Sequence, residues 1–232
     1  MRRAMKRAGL EYIFIDATIG GELSHEWLQE NVSSQLLSTL SNRVNRSITR
    51  NIIACADSHR RAQRWVANQE NSQFFLILED DAVLETGFVV LWKSLKEAMF
   101  EFGRNVVFVG YSLPDGVLAG SKLTKLGSTY ELLEYPAEKT LGAYGYLLDS
   151  TGAKLLSGLN ADKIMDTADN FQIRHRGIAP QVATVAPRLV TTGNFSSSIG
   201  WTHQKWRQRC RVILLWLPFG SMIYRARQRR RF

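Results

Sequence analysis

The sequence predicts an α/β fold built on a central, mixed but mostly parallel sheet, and three observations carry that expectation. Over 232 residues, 45% hydrophobic and 22% charged content suits one well-packed domain with a short appendage. Residues 74–78 are five consecutive apolar side chains between polar neighbours, the pattern of a strand covered on both faces. A helix-length segment at 88–102 and a second apolar run at 105–111 follow it, in strand–helix–strand order.

The remaining elements are read in chain order. Residues 12–15 form a short apolar run before Asp16 and read as a strand, ended by Gly20-Gly21. Residues 24–40 are helix-like. Ser58 suits an N-cap, with Ala62, Trp65 and Val66 on one side of a helix that follows. Segments 130–135 and 144–148 read as strands. Ser150 is placed to cap a helix over 151–159, a further helix is expected over 166–174, and 181–185 is a last strand before Pro187.

The net charge of +9 has one location. Lys205, Arg207, Arg209, Arg211, Arg225, Arg227, Arg229, Arg230 and Arg231 all lie beyond residue 200, with no acid among them. A near-neutral domain, residues 1–200, thus carries a cationic C-terminal tail, residues 201–232, rather than a basic surface throughout. The apolar stretch 212–224 is too short to span a bilayer and is broken by Pro218 and Gly220. The first residues do not form a secretion signal. Two cysteines, Cys55 and Cys210, build no disulfide framework and suit a reducing compartment.

Four features bear on chemistry. Glu79-Asp80-Asp81 follows strand 74–78, and open α/β sheets bind ligands at the carboxyl ends of strands. Three adjacent carboxylates repel one another unless a cation compensates them, and Mg²⁺ or Mn²⁺ takes such oxygen ligands together with substrate phosphates. An acidic loop without function gives the same letters. His59, beside Ser58, is suited either to a donor phosphate at a helix N-terminus or to simple packing, and packing is favoured. Asp166 and Asp169 are candidates for the base that sugar transfer to a hydroxyl needs, or for caps on a solvated face. Residues 141–146 offer Tyr144 and Tyr146 either as stacking surfaces for a sugar or as parts of a tightly packed strand.

Taken in order, these segments resemble glycosyltransferase family 25, the lipopolysaccharide and lipooligosaccharide biosynthesis enzymes. The resemblance runs through Arg2-Arg3, Gly9-Leu10-Glu11-Tyr12, Ile15-Asp16-Ala17 and Ala54-Cys55-Ala56-Asp57-Ser58-His59. It continues through Leu76 to Ala82, Gly142-Ala143-Tyr144-Gly145-Tyr146, Gly152-Ala153, Asp169 and Ala186-Pro187-Arg188. It implies a GT-A-like domain and a nucleotide-sugar donor, commonly UDP-galactose. The acceptor it implies is a growing lipid-linked oligosaccharide. Glu79 and Asp81 would be the metal ligands, for Mn²⁺ or Mg²⁺. Arg2, Arg3, Ser58, His59, Glu79, Asp80 and Tyr144 would face the donor. Asp169 would be the catalytic base, with Asp166 the fallback, and transfer would proceed with inversion.

Members of that family begin with a short apolar strand ahead of the arginine segment. This sequence opens on Met1-Arg2-Arg3, so that strand is expected to be missing, which exposes a sheet edge and removes donor contacts. The expected function is hexose transfer to a lipopolysaccharide acceptor. A metal-dependent phosphohydrolase and a weakly active or non-catalytic remnant are the rivals. The aromatic, arginine-rich tail is expected to hold the protein peripherally on the anionic inner face of a bacterial inner membrane, rather than on nucleic acid.

Overall fold

The structure, a computed structural model, describes residues 5, 9–69, 73–112, 121–134, 141–158, 162–168 and 182–192. The chain divides into two units, Met1–Phe195 and Ser196–Phe232, and the second, with the whole cationic tail, lies outside the described residues.

The first unit opens with residues 10–19 in no regular structure, then a 3₁₀ turn at Gly20–Glu22. The expected strand at 12–15 does not form: Tyr12, Ile13 and Phe14 are about half exposed and pair with no neighbour in the sheet. Two short helices replace the single one expected over 24–40. They are α1, His25–Asn31, and α2, Ser34–Ser41, each begun by a serine whose hydroxyl accepts a backbone N–H, Ser24 from Trp27 and Ser33 from Leu36.

Helix α3, Arg46–Ala67, starts thirteen residues earlier than the sequence suggests. Its N-cap is Asn45, whose side-chain oxygen accepts from the Ile48 N–H at 2.9 Å. Ser58 is a mid-helix residue that donates its hydroxyl hydrogen to the Ala54 carbonyl one turn back. At 22 residues the helix is about 33 Å long. It buries Ile52, Ile53, Ala56, Asp57, His59, Arg60, Gln63 and Val66.

The remaining elements are β1 (Phe75–Leu78), β2 (Ala82–Leu84), α4 (Gly87–Glu101), β3 (Val106–Ser112), β4 (Lys122–Leu126), β5 (Tyr130–Glu134), β6 (Leu141–Leu148), α5 (Ser150–Gly158), β7 (Val182–Ala186) and β8 (Val190–Thr192). Helix α4 repeats its buried side chains at helical spacing, Phe88, Leu91, Leu95, Ala98 and Met99. It stops at Gly103, which takes φ +59° while the Arg104 and Gly103 N–H groups return to the carbonyls of Met99 and Phe100. That is a Schellman end, which glycine adopts without a Cβ penalty. The cap of α5 is Asp149, whose carboxylate accepts from the Gly152 N–H at 2.7 Å, and Ser150 is the first helical residue. Residues 166–168 are not helical, and 169–174 lie outside the described residues.

Six strands form one mixed sheet in the order β1-β6-β3-β7-β5-β4. The β3–β7 pair is parallel and the other four neighbouring pairs are antiparallel. The expectation of a mostly parallel sheet is thus corrected. Strands β1 and β3 do run the same way with α4 between them in sequence, but β6 is inserted between them, antiparallel to both. Strand β1 lies at the edge and is half-buried at every position: Leu76 and Leu78 pack against the core under α4, and Phe75 and Ile77 against the opposite core, so both faces are covered in part. An apolar run reports cover and is silent about which strand arrives alongside.

Alternation in β3 sends Val107 and Val109 into one core with α4, and Val106 and Phe108 into another with Val66 of α3 and with Ala153 and Leu156 of α5. The result is a sheet with helices on both faces. Register shifts around Gly110 break the alternation, and Tyr111 joins the Phe108 side. Near the same level the short β2–β8 ribbon lies against the sheet. A Cβ added to Gly145 would come within 3.0 Å of Val190, so the missing side chain there lets β8 approach. This ribbon receives the chain as it leaves β1, and the acidic residues occupy that passage.

Candidate functional site

Glu79-Asp80-Asp81 forms a tight turn between β1 and β2. The Glu79 N–H donates to the Tyr144 carbonyl of β6 at 3.2 Å, and the Ala82 N–H closes the turn on the Glu79 carbonyl at 3.1 Å. Three carboxyls are thus presented at the carboxyl end of β1. Asp80 is exposed, while Glu79 and Asp81 are half-buried. Asp81 is held above the ordinary carboxylate range, first by its own desolvation and then by repulsion from Glu79 and Asp80. Its Oδ1 is buried and has no hydrogen-bond partner among the described residues. A buried, unsatisfied carboxylate oxygen beside two more acids is an incomplete arrangement that a hard divalent cation completes.

Glu79 faces a second neighbourhood. Its Oε1 lies 3.3 Å from Nε2 of His59, and the other ring nitrogen of His59 is 3.0 Å from the Tyr146 hydroxyl. Gln63 donates its side-chain N–H to that same hydroxyl at 3.1 Å. The His59 and Tyr146 rings are stacked, with centroids 5.8 Å apart. His59 is buried and mid-helix, so the expectation of a histidine at a helix N-terminus is not met; Tyr146 and Glu79 position it instead. Cys55, one helical turn before His59, brings a thiol to the same place. Its Sγ, a His59 ring nitrogen and a Glu79 oxygen lie within 4.8 Å of one another, a possible metal-binding triad.

On another side of α3 the chain at 16–18 is strapped down. The Thr18 N–H donates to the Ser58 hydroxyl oxygen at 2.9 Å, and the Thr18 hydroxyl donates to Asp57 at 2.6 Å. Asp57 also pairs with Arg60 at 2.8 Å, both nearly covered. Arg61 donates to the Asp16 carbonyl at 2.8 Å. Beside this strap lies an open cleft of about 390 Å³ lined by Thr18, Glu22, Trp27 and Arg61 among others. A larger cleft of about 630 Å³, near Phe74, Lys96 and Phe100, lies toward the amino end of β1, away from the acids.

Tyr144 is 7% exposed, and its hydroxyl donates to the Tyr111 carbonyl. Its ring belongs to the core around α4, so of the two readings of this segment, packing is the one the buried ring supports. Arg188, just after the cis Ala186–Pro187 bond, reaches the Tyr111 carbonyl and the Tyr144 hydroxyl, each at 3.3 Å. Burial pushes the Tyr111 hydroxyl far above its usual range, and the nearby Arg188 partly offsets this. Arg188 was visible in the sequence only as one letter of a motif; its place beside β3 and β6 is a tertiary fact.

Asp166 is buried, and one carboxylate oxygen accepts from the Thr167 N–H at 2.8 Å. Its segment is held against the start of α2 by the Ser33 N–H to Ile164 carbonyl bond, at 3.0 Å. Asp169, Arg2 and Arg3 lie outside the described residues. The structure therefore brings Glu79, Asp80, Asp81 and His59 together, with Ser58 next to His59 in sequence but engaged with Thr18. Among the described residues, no helix is long and apolar enough to cross a membrane.

Compared with known proteins, the sequence matches the family described as Glycosyltransferase family 25 (LPS biosynthesis protein) over residues 1–171. No individual curated protein matches it.

Proposed function

The chain belongs to glycosyltransferase family 25, and from that premise we propose that it transfers a hexose, galactose from UDP-galactose, to a lipid-linked oligosaccharide acceptor with inversion. The observation that carries the reading is the buried Oδ1 of Asp81, without a hydrogen-bond partner among the described residues, in an acidic turn at a strand's carboxyl end. Asp81 and Glu79 are the residues that would hold Mn²⁺ or Mg²⁺. Such an ion supplies positive charge to the departing diphosphate.

This chain's own groups do the rest. Asp80, exposed at the turn, faces the donor together with His59. Ser58, Arg2 and Arg3 complete the proposed donor side. The acceptor hydroxyl oxygen attacks the anomeric carbon as the bond to the diphosphate breaks, and its proton passes to a carboxylate. Asp169 takes that role. The burial of Asp166, and its bond to the Thr167 N–H, supports leaving it second. Incubating the protein with a panel of nucleotide sugars, Mn²⁺ and lipooligosaccharide tests the assignment by mass spectrometry. The acceptor is expected to gain one hexose from UDP-galactose; a gain from another donor alone would overturn the choice of sugar.

Residues 201–232 combine Trp201, Trp206, Trp216, Phe219, Tyr224 and Phe232 with the nine basic residues. That composition supports a hold on the anionic cytoplasmic leaflet, where each Lys or Arg near the surface contributes about 1 kcal/mol. The full chain is expected to float with phosphatidylserine-containing liposomes and a 1–200 truncation to stay behind. Equal partitioning would remove the tail from the account.

A further inference from the structure

Cys55 and His59 stand four residues apart on α3, which places them on one face one turn apart. The end of β1 delivers Glu79 to that face. We propose that Cys55 Sγ, His59 Nε2 and a Glu79 carboxylate oxygen form a binding site for a borderline-soft divalent cation, Zn²⁺, that shares Glu79 with the hard-cation turn.

The donor set is the first argument. Thiolate, imidazole and carboxylate together suit Zn²⁺, whereas Mg²⁺ and Mn²⁺ prefer oxygen alone. Three protein ligands also leave a fourth position for water, and Cys55 and Glu79 are only half-buried, which keeps that position reachable.

Geometry is the second. With nitrogen and oxygen each about 2.0–2.1 Å from a tetrahedral zinc, the N···O edge is about 3.3–3.4 Å. His59 Nε2 and Glu79 Oε1 already stand 3.3 Å apart. The thiol, a ring nitrogen of His59 and a carboxylate oxygen of Glu79 all lie within 4.8 Å of one another, so side-chain adjustments on the order of 1 Å bring the sulfur to the ~3.5 Å edge a Zn–S bond of about 2.3 Å requires.

His59 is also supported from behind, as a metal ligand needs to be. A metal-bound imidazole normally donates its other N–H to a fixed acceptor, which sets the tautomer. Nδ1 of His59 lies 3.0 Å from the Tyr146 hydroxyl oxygen, held in turn by the Gln63 N–H. With Nε2 on the metal, Nδ1–H donates to that oxygen. Binding replaces the thiol proton, which leaves to solvent, and displaces metal-bound water.

The site has a consequence for activity. Zinc bound at Cys55 and His59 turns the Glu79 carboxylate toward α3 and away from the acidic turn, and so inhibits transfer. That inhibition rests on the proposed transfer activity, whereas the binding itself does not.

Co²⁺ titrated into the metal-stripped, reduced full chain provides the test. The expected result is a thiolate-to-cobalt charge-transfer band with the strong visible absorption of tetrahedral cobalt, displaced by equimolar Zn²⁺ and untouched by Mn²⁺. Cys210→Ser keeps the band. Cys55→Ser loses it and weakens Zn²⁺ binding at least about a hundredfold, while Tyr146→Phe weakens it about tenfold. Glu79→Gln keeps the thiolate band at reduced affinity, a readout that does not depend on the Cys55 variant folding. No band in the wild type, or a band that follows Cys210, overturns the site. In transfer assays Cys55→Ser is expected to resist zinc concentrations that halve the wild-type rate. Zinc binding without inhibition overturns the coupling, and a chain that binds cobalt yet transfers no sugar overturns the proposed function and leaves the site standing.

Discussion

Replacing Asp81 by Asn is expected to reduce cation-dependent sugar transfer at least about a hundredfold while making the metal-free protein more stable. The first effect follows from losing a ligand whose ion contributes several kcal/mol to the departing charge, about 1.4 kcal/mol per tenfold in rate. The second follows from the environment of the carboxylate. Asp81 is partly desolvated, its Oδ1 has no partner among the described residues, and Glu79 and Asp80 repel it. Its folded-state value is raised, so the folded protein holds that proton more tightly than the unfolded chain. The stability this contributes is complete below the ordinary carboxylate value and is lost as pH rises through the raised one. Metal-free wild type is therefore expected to lose thermal stability across that window, and Asp81→Asn to lack this part of the slope. Mn²⁺ reverses the loss in the wild type only, since a ligand that binds the folded state stabilises it. Calorimetry against pH, with and without Mn²⁺, reads all three. An Asn variant that is less stable without metal, or equally active with it, contradicts the role given to Asp81.

Arg60→Met is expected to cost about 3–5 kcal/mol of stability, because it strands a buried carboxylate. Asp57 and Arg60 pair at 2.8 Å with side chains 8% and 7% exposed, and Asp57 also accepts the Thr18 hydroxyl. In a chain of this size such a loss lowers the melting temperature by on the order of 10 °C. The double variant Asp57→Leu/Arg60→Met removes both charges and is expected to recover most of the loss, with the Thr18 bond the residual difference. Urea denaturation of the three proteins measures it. A single variant within about 0.5 kcal/mol of wild type would mean that water reaches the pair and that the strap at 16–18 does not depend on it.

Strands 75–78, 106–112, 130–134 and 182–186 and helices 87–101 and 150–158 were legible because each carries a local apolar pattern, a short run in the strands and side chains at helical spacing in the helices. What was not legible depended on partners. Residues 12–15 have a strand's composition and no neighbouring ladder. Asp57 and Ser58 look like a helix start, but their side chains are spent on Thr18, Arg60 and Ala54, so the helix passes straight through them. The insertion of β6 between β1 and β3 leaves no trace in any local pattern.

The acidic turn was found from its letters and its place after an apolar run. The contact of His59 with Tyr146, 87 residues away, was not, and neither was Arg188 against β3 and β6. Side chains that meet across such separations carry no shared periodicity. Cys55 and His59 belong to one short motif in the sequence. Only the fold adds Glu79 and makes them a cluster.

The central claim is that the acidic turn serves sugar transfer rather than phosphate hydrolysis. Release of UDP from UDP-galactose, followed with and without lipooligosaccharide and with Mn²⁺ or EDTA, tests it most directly. Release is expected only when acceptor and Mn²⁺ are both present, in step with hexose appearing on the acceptor. Release that proceeds equally without acceptor, or transfer that EDTA leaves untouched, would contradict it.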